Sequence, residues 1–81
     1  MHLEIITPDK RVFSGEVVSA QFPGANGLFQ VLNNHAPLIS LLEKGKITIK
    51  TAQDEQVIMV DGGMVEVLNN KIIVLAESIL S

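Results

Sequence analysis

Chemistry in a protein needs a nucleophile, a base, an acid or a set of metal ligands, and few side chains of this chain can serve. They are His2 and His35, Asp9, Asp54 and Asp61, and the scattered glutamates. None falls into a spacing that a mechanism requires. There is no HxH or HExxH ligand pair, no GxSxG nucleophile turn, and no pair of acids in an apolar setting. The absence of cysteine excludes disulfides, thiolate metal sites and a Cys nucleophile. His35 lies in PGANGLFQVLNNHAPL (23–38), a stretch crowded with glycine, asparagine and proline. A lone histidine in such a loop reads as a hydrogen-bonding or interface residue rather than a base. Gly24 and Gly27 do not make a phosphate cradle, because no Lys-Ser/Thr pair follows and no helix begins there. The expectation is a non-catalytic chain with no cofactor and no metal.

The elements that position these residues are short. With 81 residues the chain fits one domain, spanning 1–81, and 47% hydrophobic residues with only three aromatics give an aliphatic core. The net charge of −3 and the scattered bases leave no phosphate-neutralising stripe, so nucleic acid is not expected as a partner. No apolar run reaches the roughly 20 residues of a membrane span, and the N-terminus lacks the pattern of a secretory signal. Apolar segments separated by turn residues give the strands 2–7, 11–13, 16–22, 28–31, 38–42, 46–50, 56–60, 64–68 and 71–75. Asn69-Asn70 reads as a two-residue hairpin turn, since Asn tolerates the positive φ such turns require. The expected fold is all-β, a two-sheet β-sandwich of about 9–10 short strands. Its core would draw on Leu3, Ile5, Phe13, Val18, Phe22, Leu38, Ile47, Ile49, Val67 and Val74. VIMV (57–60) and IIVL (72–75) are apolar on both strand faces, which calls for a loop, a chain end or a partner over the outer face.

The order of motifs resembles the N-terminal β-sandwich domain of the epsilon subunit of F-type ATP synthase (delta in mitochondrial naming). The matching residues are Phe13-Ser14-Gly15, Gly24, Gly27, His35-Ala36-Pro37-Leu38, Gly45, Gly62-Gly63, Val67 and Val74-Leu75-Ala76. Asn33-Asn34 and Lys44-Gly45 stand where the family commonly has Pro-Gly. Gln30 replaces a usual small residue, and Leu28 a frequent acid. Family members commonly continue into a two-helix hairpin, whereas here only Glu77–Ser81 follow the last strand.

The resemblance implies a rotor subunit that grips the gamma subunit with one side and sits on the c-subunit ring with one end. That position is peripheral, on the cytoplasmic face of the bacterial inner membrane, with membrane contact only through the complex. It implies a c-ring interface of Gly24, Asn26, Gly27, Leu28, Gln30, Asn33 and His35. For gamma, it places Val57, Met59, Ile73 and Leu75 in the frame. An alternative is a lipoyl- or biotinyl-type carrier domain, with Lys44 or Lys46 of EKGK (43–46) as the modifiable lysine on a hairpin.

Overall fold

A computed structural model describes residues Met1–Ser81. Its strands are β1 (His2–Ile6), β2 (Arg11–Glu16), β3 (Ser19–Gly24), β4 (Gly27–Leu32), β5 (Leu38–Lys50), β6 (Glu55–Leu68) and β7 (Lys71–Ala76). They form one seven-stranded sheet in the order β2-β1-β7-β6-β5-β3-β4. Only the β1–β7 pair is parallel.

The sheet is folded over on itself. At about 4.8 Å per strand, a flat sheet would hold β1 and β4 roughly 24 Å apart. Yet Leu3 and Ile5 of β1 share one buried cluster with Phe22 of β3 and Val31 of β4. The fold occurs where β5 and β6 bend together. Their ladder runs from Leu38↔Val67 to Leu42↔Gly63, skips Glu43 and Gly62, and resumes at Lys44↔Asp61. Gly62 and Gly63 make the bend possible, with φ of 94° and 148°. The first layer therefore holds β2, β1, β7 and the ribbon segments 63–68 and 38–42. The second holds segments 55–61 and 44–50 with β3 and β4. Between them Leu3, Ile5, Phe22, Ile47, Ile49, Ile72 and Val74 are fully buried, each stabilising by about 1.5–3 kcal/mol relative to exposure.

The all-β sandwich agrees with the sequence expectation, and the strand count differs for a physical reason. The segments 38–42 and 46–50 join as β5, and 56–60 and 64–68 join as β6. Lys44-Gly45 and Asp61-Gly62-Gly63 are bends in a paired ribbon, and the chain does not reverse there. Asn69-Asn70 is the expected tight turn, with φ of 52° and 60°. Val18 is a correction: it is 50% exposed, and Val17 is buried in its place. The Val18 amide donates to Lys50 O, the residue that Ser19 already pairs with, so a β-bulge shifts the inside–outside alternation by one. Phe13 and Leu38 pack against the core without being fully enclosed.

The chain end, one of the covers expected for VIMV, pairs along the backbone edge of that segment. Val60 bridges Ile79, Leu80 N donates to Met59 O (2.8 Å), and Met59 N donates to Ser81 O (3.0 Å). Residues 78–81 thus satisfy the backbone edge of the first half of β6.

Candidate functional site

The two histidines that invited a chemical reading are held by nearby contacts. His35 Nδ1 lies 2.7 Å from Ala36 O, and its amide donates to Leu32 O. His2 sits between Glu16 (3.4 Å) and Ser14 (3.4 Å) at the exposed β1–β2 edge. Glu4, half-buried, takes Arg11 at 3.4 Å and Lys71 at 3.7 Å. No group of three or more His, Cys, Asp or Glu side chains is placed to hold a metal ion. Lys44 and Lys46 lie inside the β5–β6 ladder, opposite Asp61 and Met59, rather than at a hairpin tip. The carrier-domain geometry is absent.

The distinctive feature is an apolar row across the outer face of the first layer. Strand register aligns Ile6 with Leu75, Leu75 with Met64, and Met64 with Leu41. A second row aligns Glu4, Ile73, Glu66 and Ile39. Ile39 is 67% exposed, Leu41 65% and Leu75 47%. The alternation of β7 creates this face: Ile72, Val74 and Ala76 point into the core, so Ile73 and Leu75 must point out.

Of the four residues in the frame for gamma, the structure brings together only two. Ile73 and Leu75 share the first layer's outer face, where Ile39 and Leu41 join them. Val57 and Met59 project from the outer face of the second layer, opposite Thr48 and Lys46. Sequence reading missed Ile39 and Leu41 because LISLL lacks a clean period. The signal available was alternation from Leu38, which is packed on the core and so sends 39 and 41 outward.

The residues from 24 to 35 also divide. Gly24 and Gly27 pair across the two-residue turn Ala25-Asn26, which is the β3–β4 hairpin tip. Gly24 is there for close approach, since a Cβ would lie 2.8 Å from the Phe29 ring. Asn26 and Leu28 belong to this tip. Gln30 lies mid-strand on the outer face. Asn33 and His35 follow the opposite end of β4, where Asn33 Oδ1 meets the Met1 amine at 3.3 Å. The tip stands beside the apolar row, because Ala25 N donates to Leu41 O (2.9 Å).

Comparisons with known proteins agree with this architecture. The family "ATP synthase, Delta/Epsilon chain, beta-sandwich domain" matches residues 1–81. The ATP synthase epsilon chain of Chlorobaculum tepidum is 46% identical over 78 residues, covering 95% of this chain and 89% of that protein. A chain of the Tetrahymena thermophila mitochondrial ATP synthase central stalk and c-ring structure superposes with a TM-score of 0.86 at 14% identity, covering 99% of this chain and 65% of that one. A chain of the Euglena gracilis mitochondrial ATP synthase gives 0.90 at 16% identity, covering 96% and 51%. At those identities the two superpositions carry the fold, and the match to the bacterial relative carries the kinship. The chain belongs to the ATP synthase delta/epsilon chain β-sandwich family.

Proposed function

We propose that this chain is a non-catalytic rotor subunit of an F-type ATP synthase, one domain over residues 1–81, helping to couple proton transport to ATP synthesis. The gamma subunit covers the outer face of the first layer, at Leu75, Ile73, Leu41 and Ile39. The β3–β4 tip, formed by Gly24, Asn26, Gly27 and Leu28, docks on the c ring. Membrane contact is indirect, and the assembly sits at the cytoplasmic face of a bacterial inner membrane. The apolar row from Ile6 to Leu41 supports this reading most directly, because large contiguous apolar surfaces on soluble chains mark interaction sites. The Tetrahymena chain of the same fold, from a central stalk and c-ring structure, supports the same surroundings here. Val57 and Met59, on the other layer, are left outside the gamma contact.

The test is capture by gamma. Leu75→Glu and Leu41→Glu should leave the free chain folded by circular dichroism and weaken capture at least tenfold, since a few central apolar residues dominate such interfaces. Val57→Glu should leave capture within about twofold of wild type. Capture of the Leu75→Glu and Leu41→Glu variants at wild-type strength overturns the assignment.

A further inference from the structure

The two edges of the sheet are guarded differently. β2, at one edge, carries Arg11 and Glu16, and its pairing with β1 is irregular between Ile5 and Ile6. Charges and irregular pairing of this kind deter strand addition. β4, at the other edge, reads GLFQVL and has no charge, no proline and no break in its register with β3. Leu28 is 69% exposed and Leu32 54%. We infer that the open edge of β4 is a strand-addition site at which two free copies of this chain pair, antiparallel, about a two-fold axis through Gln30.

Three observations carry this. The first is which backbone groups are open. Gly24 and Gly27 close the hairpin as a bonded pair, so Phe29 and Val31 also bond to β3, and the amides and carbonyls of Leu28, Gln30 and Leu32 point away from it. Pro23, opposite Leu28, fits this parity, because its position asks for no amide toward β4. β3 is the only strand neighbour of β4. Among the open groups, only Leu32 O has an internal donor, His35 N, and a carbonyl accepts two.

The second is the symmetry of the sequence. Leu28-Phe29-Gln30-Val31-Leu32 has the same pattern of residue classes in both directions. Antiparallel pairing centred on Gln30 sets Gln30 against Gln30 and Leu28 against Leu32. Every open amide then meets a carbonyl of the other copy. On the outer face leucine meets leucine, and on the core side Phe29 meets Val31. A two-fold contact must be self-complementary in this way.

The third is charge. The chain carries a net −3, yet no charged residue lies between Pro23 and Asn34, so the axis brings no like charges together. A single strand edge buries less than the ~800 Å² per partner of a stable interface. The pairing is therefore weak and reversible, a property of the free chain. Leu28 also belongs to the hairpin tip, so pairing of free copies and docking of the tip compete.

The experiment uses the isolated chain, with sedimentation velocity at concentrations up to ~1 mM and oxidative crosslinking. Wild type should show reversible dimer at the upper concentrations. Gln30→Cys should crosslink, since bonded antiparallel pairs hold Cα atoms about 5.5 Å apart, within disulfide reach. Lys44→Cys, exposed at the bend, should crosslink only at the rate of random collision. Gln30→Lys, folded by circular dichroism, should weaken the dimer about fivefold by opposing two lysines, and added salt should restore it. Three results overturn the inference: a chain that stays monomeric at ~1 mM, Gln30→Cys crosslinking no faster than Lys44→Cys, or undiminished dimer in Gln30→Lys. The last would move self-association to the first layer's apolar face. None of these outcomes depends on the stalk assignment.

Discussion

At Gly63 an added Cβ would meet Leu75 O and lie 2.9 Å from Ala76 Cα. The backbone φ of 148° is one that side chains resist. Both penalties act at once, so Gly63→Ala should destabilise the chain by roughly 2–4 kcal/mol in urea unfolding. Gly27 makes the contrast. Its φ is 123°, but nothing lies within 4 Å of the added Cβ, so only the backbone penalty remains, about 1 kcal/mol. Side chains divide the same way. Phe22, fully buried and stacked obliquely on Phe29 at 5.5 Å, should cost about 3–5 kcal/mol when cut to alanine. Leu41→Ala, on the open face, should stay within about 0.5 kcal/mol in the isolated chain. An equal loss at Phe22 and Leu41 would mean that the outer face is covered in the free molecule.

Among the elements, the tail 78–81 offers the sharpest test. It adds the amide bonds of Met59, Asp61 and Leu80 along β6. Removing Ser78–Ser81 should leave the core intact, lower stability by about 1–2 kcal/mol and speed amide exchange at Met59 and Asp61. Unchanged exchange would mean the tail is not paired in solution. The same region marks where the sequence stops being readable. Ile47 and Ile49 announce their face by strict alternation, and Asn69-Asn70 announces its turn by tolerating positive φ. Asp61-Gly62-Gly63 announces only that the backbone departs from extended geometry. A reversal and a bend in a paired ribbon both need that, and the choice is made by whether β5 stays alongside. Val18 fails for a related reason, since a bulge shifts alternation without changing composition. Of the residues proposed for gamma and the c ring, Ile73, Leu75 and the 24–28 turn were legible one at a time, as apolar or turn residues, whereas Ile39 and Leu41 were not. The grouping was not legible either, because it depends on which layer and which end of β4 each one reaches.

At the scale of the whole molecule, 27 × 26 × 19 Å, the apolar face and the hairpin tip adjoin. A gamma contact and a c-ring contact can therefore be held at once by neighbouring surfaces. Asn26→Cys should crosslink to the c ring in the assembled complex and Asn33→Cys should not, because β4 separates them by about 3.3 Å per residue. The yield at Asn26 should change little between low and high salt, as no charge lies between Pro23 and Asn34. Strong salt dependence would move the contact elsewhere. The parallel pairing of β1 with β7 bears on how the molecule is made. His2–Ile6 aligns with Lys71–Leu75, so during synthesis β1 waits for a strand that is made much later. Until then Leu3 and Ile5 have no neighbour on that side, and contacts between distant parts of a chain form slowly. Nascent chains arrested before residue 71 emerges should stay protease-sensitive, and those arrested after residue 76 clears the tunnel should become resistant in a single step.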